Sequence, residues 1–271
     1  MEHPPRPLRL AHLTDLHFGA EDPPVVAGLR TDLAGQDLDR VLVSGDLTMR
    51  ARMAQFHAAR AMLDSIGCPW TSVPGNHDLP LDRVLSRAAR PLRGYRRVID
   101  VRPEPLLRVD GLQVLGLSTA RRYLWKGGRI DSGQLARIGT AYEAPARLRV
   151  LMLHHPVFRS AQRPREQLVR GAERALHAAA RAGVDVVLCG HDHVQAQADL
   201  AATWPGLGRH MIGVLSGTAC SRRVRASESQ SYTILELSGE RLVLRVRHWR
   251  GGRFETLAET AWCRSADGWR T

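Results

Sequence analysis

The sequence predicts a mixed α/β fold in which two β-sheets pack face to face with helices outside them, as a single domain over residues 1–271. Three observations predict it. Short apolar runs alternate with helix-compatible stretches through the first two thirds of the chain. The runs mostly lack polar alternation, as strands buried on both faces do. After residue 193 helical patterns stop, and residues 194–271 are expected to be mostly antiparallel β. An apolar content of 44% supports a sizeable core and excludes disorder as the main state. Aromatics make up only 5%, so that core must rest on Leu, Val, Ile and Ala.

The elements follow in order. Strands are expected at Leu8–Leu13, Val41–Val43, Trp70–Val73, Val114–Leu117, Leu148–Leu153 and Val184–Cys189. Residues 51–65 place Ala51, Ala54, Ala58, Ala61, Met62 and Ser65 at helical spacing, and 165–182 do so with Leu168, Ala172, Ala175, Leu176 and Ala179. Asp131 or Ser132 is placed to cap a helix over 133–142. Later strands are read at Val194–Ala202, Gly208–Gly217, Tyr232–Leu237 and Arg241–His248, with turns at Ser238-Gly239 and Gly251-Gly252.

Thirty-nine basic against 27 acidic residues give a net charge of +12, and all but Lys126 of the basic residues are Arg. That balance suits anionic partners: phosphorylated metabolites, nucleic acid or anionic lipid. Residues 78–104 crowd Arg83, Arg87, Arg90, Arg93, Arg96 and Arg97 together, and the spacing of 83, 87 and 90 puts three on one helix face. They read as a solvated face or as a lid and anion-attracting rim. Cys68, Cys189, Cys220 and Cys263 are far apart, which argues against a disulfide framework and a thiolate zinc site; Cys68 and Cys189 read as buried small hydrophobes. No run of eighteen apolar residues occurs, and the opening residues Met1 to Pro7 lack the apolar centre of a secretory leader, so a cytoplasmic location is expected, with peripheral membrane contact left open.

Potential metal donors follow five of the expected strands: Asp15 and His17, Asp46, Asn76 and His77 with Asp78, His154 and His155, and His191 with His193. In α/β sheets ligands bind at the carboxyl ends of strands, so five segments point at one place. Asp, Asn and His suit divalent Mn, Fe, Zn or Mg. The donors are too many for one ion and sufficient for two, and Asp46 has the two oxygens needed to bridge them. Two ions about 3.5–4 Å apart would clamp a phosphate for in-line attack by a water acidified toward a pKa of roughly 7. Gly45, Gly75 and Gly190 each directly precede a donor, where a missing Cβ lets backbone approach closely.

The ordered set D-x-H (15–17), G-D (45–46), G-N-H-D (75–78), H (154) and G-H-x-H (190–193) resembles the calcineurin-like metallophosphoesterase superfamily. His12-Leu13-Thr14-Asp15-Leu16-His17-Phe18-Gly19 and Val73-Pro74-Gly75-Asn76-His77-Asp78 look most like its bacterial branch of class III cyclic-nucleotide phosphodiesterases. The resemblance implies a four-layer α/β/β/α sandwich and a binuclear metal centre. By motif, Asp15, His17 and His193 would hold one ion, Asn76, His154 and His191 the other, with Asp46 between them. His77 would face the substrate as general acid, with Asp78 as its candidate orienting partner.

The implied activity is hydrolysis of a small phosphate diester such as a cyclic nucleotide. Alternatives are a nucleotide-linked lipid pyrophosphate split at a membrane surface, a nuclease, or a non-catalytic scaffold. No aromatic-interleaved basic tract favours nucleic acid. The phosphoprotein phosphatase branch has an acidic residue where Met49 stands, which cannot polarise His77; Arg50 follows it as a candidate phosphate contact. His154 is preferred to His155 because it comes first after the apolar run. His12 reads as structural. Arg222 and Arg223 are candidate phosphate contacts or members of a solvated loop. Trp125 to Arg129 reads as a flexible turn.

Overall fold

The computed structural model describes residues 6–225 and 228–271; residues 1–5, and with them most of the stretch read for a leader, lie outside it. The elements run β1 (Leu8–Leu13), α1 (Pro23–Ala34), β2 (Arg40–Val43), α2 (Met53–Asp64), β3 (Trp70–Ser72), α3 (Val84–Ala89), α4 (Arg93–Val98), β4 (Leu106–Val109), β5 (Leu112–Leu117), α5 (Ser132–Thr140), β6 (Leu148–Leu153), α6 (Ala172–Arg181), β7 (Val186–Cys189), β8 (Ala196–Asp199), α7 (Leu200–Thr203), β9 (Ile212–Leu215), β10 (Ser231–Ser238), β11 (Arg241–Arg250), β12 (Arg253–Ser265) and β13 (Gly268–Arg270). One sheet has seven strands in the order β13-β12-β11-β10-β1-β2-β3, the other six in the order β4-β5-β6-β7-β9-β8.

Period-2 side-chain alternation explains why the apolar runs show no polar alternation. In β1, Leu8 and Leu10 enter the core between the sheets, whereas Ala11 and Leu13 enter the core beneath α1, α2 and α4. In β7, Val186 and Leu188 face the inter-sheet core, and Val187 and Cys189 face α5 and α6. Three apolar layers thus separate four layers of structure, the α/β/β/α sandwich. Parallel β1, β2 and β3 in one sheet and β5, β6, β7 and β9 in the other bring their carboxyl ends together.

Several expectations need correction. The α2 helix forms and buries Met62 as expected, with Ala51 buried just before it, but Ala54, Ala58, Ala61 and Ser65 are exposed and Phe56, Ala59 and Leu63 are buried instead, because the bulkier side chains remove more apolar surface from water. The helix expected over 165–182 begins at Ala172, since Gly171 holds φ +89°, a left-handed conformation that stops it. The last third is not free of helix: Asp199 caps α7 by accepting from the Ala201 N–H. The β-strands of that third pair antiparallel except for β9 with β7. Cys68 is only half-buried. Asp131 does cap α5, accepting from the Gln134 N–H at 2.9 Å.

The arginine cluster also differs from its reading. Helix α3 spans only Val84–Ala89, so Arg83 and Arg90 flank it. Arg87 is neither a solvated nor a rim residue. It is 2% exposed and donates to the carbonyls of Pro80, Arg121, Arg122 and Leu124. Its guanidinium also stacks 4.6 Å from the Trp125 ring centroid. Downstream, α4 belongs to the core, where Tyr95 shares a 2.7 Å hydrogen bond with Ser72.

Candidate metal centre

The loops after β1 and β2 are zipped by backbone bonds from Asp15 N–H to Gly45 O (3.0 Å), His17 N–H to Asp46 O (2.9 Å) and Phe18 N–H to Leu47 O (3.0 Å). This holds Asp15, His17 and Asp46 on adjacent strand ends. Asp15, His17, Asp46, His191 and His193 all have positive φ, between +47° and +76°, a region L-residues rarely occupy. The loops therefore curl tightly enough to turn successive donors inward. Backbone approach is equally close. A Cβ on Gly190 would lie 1.9 Å from Thr14 Oγ1 and 2.6 Å from Asp15 Oδ2, and one on Gly75 2.1 Å from Asp46 Oδ1.

The structure brings all seven donors together. The donor atoms of Asp15, His17 and His193 lie within 4.8 Å of one another, as do those of Asp15, Asp46 and His154. Asp46 Oδ2 stands 3.3 Å from His154 Nε2 and 3.7 Å from His17 Nε2, between the two groups. Its Oδ1 accepts from the His77 N–H at 2.8 Å. His154 Nε2 lies 3.2 Å from Asn76 Oδ1 and 3.3 Å from His191 Nδ1.

Proximity alone would also admit His77 and His155 as ligands. Their ring nitrogens are already engaged. His155 meets Thr119 Oγ1 at 2.7 Å and the Lys126 carbonyl at 2.9 Å. His77 Nδ1 donates to the Met49 carbonyl at 2.8 Å, and Nε2 accepts from Arg223 Nη1 at 3.0 Å. Position 49 thus orients His77 through its backbone, although its side chain cannot. Asp78 does not orient His77. It is buried and accepts from the N–H groups of Leu47, Thr48 and Gly75 and from Thr48 Oγ1, tying two donor loops together. Arg50 and Arg222 are exposed, and among the described residues neither guanidinium bonds to the cluster. His12 is buried between Ser44 and Ser216, a structural network.

Three backbone carbonyls that sequence reasoning missed set the imidazole tautomers. Ser44 accepts from His154 Nδ1 (2.8 Å), Arg223 from His193 Nδ1 (2.5 Å) and Met49 from His77. For His154 and His193 this leaves the opposite nitrogen facing the cluster, the usual way a protein orients imidazole ligands, whereas for His77 it leaves Nε2 to Arg223. No residue type marks such an acceptor, so no sequence signal would have found them.

Buried charge shapes the electrostatics. Burial alone would raise Asp15, but the His193 and His17 imidazoles override it and hold its carboxyl well below the ordinary range. The same competition, led by His154, holds Asp46 low. Burial opposes protonation of His154, yet the Asp46 carboxylate pushes it up to about 9. Burial takes His191 down to about 4 and also lowers His17. Asp78 is pushed up to about 7 by burial and the neighbouring Asp46 charge.

Divalent ions fit this donor set. Asp15 Oδ1 is buried without a hydrogen-bond partner, and oxygen and imidazole donors converge with no thiolate among them. Burying such groups together without a cation is costly.

The comparisons agree with this geometry. A probable cyclic nucleotide phosphodiesterase of Synechococcus sp. is 28% identical over 162 residues, covering 55% of this chain and 58% of that protein. The chain therefore spans little more than half the length of that relative. Among solved structures, purple acid phosphatase from yellow lupin (Lupinus luteus) seeds superposes with a TM-score of 0.70 at 14% identity, over 94% of this chain and 53% of that one. A dimetal phosphatase from Danio rerio gives 0.66 at 13% identity, over 95% and 99%. Such identities speak to the fold. The calcineurin-like phosphoesterase model matches residues 8–195, from β1 to just beyond the last predicted donor, and by that match the chain belongs to the calcineurin-like phosphoesterase family.

Proposed function

We propose that the protein is a binuclear metal-dependent phosphodiesterase acting on a small diester such as a cyclic nucleotide. The observation that carries this reading is the convergence of six donors around Asp46, five of them buried and His191 half-buried, beside a histidine whose two ring nitrogens are held by Met49 and Arg223. Asp15, His17 and His193 would hold one ion, Asn76, His154 and His191 the second, with Asp46 shared. When bound, divalent ions supply positive charge to the phosphate oxygens and an activated water.

The chain's own residues do the rest. The Met49 carbonyl holds the Nδ1 proton of His77, so passing a proton to the departing oxygen requires the ring to take up a second proton on Nε2, which must first part from the Arg223 guanidinium. Arg223 stands 3.0 Å from that nitrogen, so an arriving phosphate oxygen would draw the guanidinium to itself and free Nε2 to carry that second proton. The kinship with the Synechococcus phosphodiesterase supports the diester assignment.

The test compares 3′,5′- and 2′,3′-cyclic nucleotides, dinucleotides, nucleotide-sugar lipids and phosphomonoesters with added manganese. Cyclic nucleotides are expected to be turned over faster than monoesters. His77→Ala should lower kcat on a cyclic nucleotide by about 10²-fold or more, and less on bis(p-nitrophenyl) phosphate, whose leaving group needs no proton. Equal loss on both substrates would remove His77 from the proton-donor role; preference for monoesters would overturn the diester reading.

Metal loading should depend on pH. His154, at about 9, carries a proton at neutral pH in the ion-free protein and the Asp15 carboxylate shifts His193 in the same direction, whereas burial lowers His17 and His191. An incoming ion must displace protons held in this way, so affinity falls as pH drops. Calorimetry in buffers of different ionisation heat should show release of between one and two protons, with affinity rising about tenfold per pH unit for each. Metal binding without proton release at pH 7 would contradict the ligand assignment of His154.

A further inference from the structure

We propose that α3 and the turn at residues 121–129 form a docking surface for an anionic lipid bilayer. The two segments make one continuous face. The buried Arg87 guanidinium of α3 grips the carbonyls of Arg121, Arg122 and Leu124, and Arg122 in return donates to the Ala88 carbonyl at 3.0 Å. On this face stand four large apolar side chains in solvent: Leu85 (87% exposed), Val84 (62%), Tyr123 (59%) and Trp125 (51%). Leaving them in water is unfavourable, and a cluster of this kind marks an interaction site.

Charge and residue type select the partner. Residues 83–99 contain six arginines and no acidic residue, and residues 121–129 add three arginines and Lys126, again without an acid. Among the described residues, the ion pairs of these two segments involve Arg83 and Arg121. Arg90, Arg93, Arg97 and Arg122 are exposed and form none. The first three line a groove of about 430 Å³ beside α3, with Met53, Pro80 and Leu85 as its apolar wall. Trp and Tyr settle at the headgroup level, aliphatic side chains enter the acyl boundary, and flanking arginines meet anionic lipid phosphates. Nucleic acid would answer the arginines and aromatics but offers nothing to Val84 and Leu85.

The placement has a functional consequence. The Lys126 carbonyl is fixed by His155, whose ring lies 5.0 Å from that of His154, so the docking turn borders the metal cluster. Docked in this way, the protein would present its cleft beside the bilayer surface. The inference does not depend on which ester is hydrolysed, and its test reads binding alone.

The test is co-sedimentation of the full chain with phosphatidylcholine vesicles, with and without about 30% phosphatidylglycerol. Binding is expected only to the anionic vesicles, weakening at about 0.5 M salt. Val84→Ser/Leu85→Ser should weaken it at least about tenfold, with Tm and turnover of soluble bis(p-nitrophenyl) phosphate unchanged. Tyr123→Ser, on the other segment, should weaken it in the same direction. Absence of binding to anionic vesicles at low salt would overturn the proposal. So would undiminished binding by the double variant, equally tight binding to single-stranded DNA, or a self-association abolished by the double variant.

Discussion

Replacing Asp46 by Asn is expected to lower turnover of bis(p-nitrophenyl) phosphate by about 10³-fold, equivalent to about 4 kcal/mol of transition-state stabilisation. The substitution keeps size and leaves an oxygen for the His77 N–H. It removes the negative charge that stands between His17 and His154. Two readouts separate this from misfolding. Metal content should fall below two ions per chain. In the ion-free variant His154 should also lose the pull that raises it to about 9, and drop below the ordinary imidazole value because burial then dominates. A variant that keeps two ions and full turnover would remove Asp46 from the bridging position.

Gly190→Ala is expected to cost nearly as much although it touches no donor chemistry. Its Cβ would fall 1.9 Å from Thr14 Oγ1 and 2.6 Å from Asp15 Oδ2. Thr14 hydrogen-bonds that same oxygen at 2.7 Å, and the His191 N–H does so at 2.8 Å, so Asp15 cannot yield without losing both. Activity should fall about 10²-fold or more, with weakened metal binding. The control is Gly139→Ala in α5, where a Cβ meets nothing within 4 Å. It should leave activity unchanged and raise stability by roughly 0.5–1 kcal/mol. Full activity in Gly190→Ala would show that Asp15 is not held by this contact.

Legibility followed burial. Strands β1 and β6 match their expected limits because Leu8–Leu13 and Leu148–Leu153 are buried on both faces and stay predominantly apolar, interrupted only by Arg9, His12 and Arg149. The donors were legible for a related reason: each group follows such a run, where a polar residue breaking an apolar stretch stands out. Strand β12 was not, since most of its side chains lie at least partly in solvent and carry no burial period. Helix α1 went unread although Val25, Leu29 and Leu33 recur every fourth residue, because Pro23-Pro24 at its start reads as loop when it actually occupies the first helical turn. Arg87 misled for the opposite reason. A charged side chain is ordinarily exposed, and only the four carbonyls around it, contributed by two separate segments, make its burial affordable.

Five of the seven proposed ligands sit at positive φ without being glycine. Such a conformation costs an L-residue on the order of 1 kcal/mol or more, so together these positions oppose folding by roughly 5 kcal/mol, a sizeable share of a typical domain's stability. Selection for thermal hardiness alone would favour glycine at every one of them, and each such change would delete a donor. Hardening this protein by improving its backbone therefore runs directly against keeping it active, and gains in melting temperature must be sought away from the strand ends, in α5, α6 and the long exposed β12.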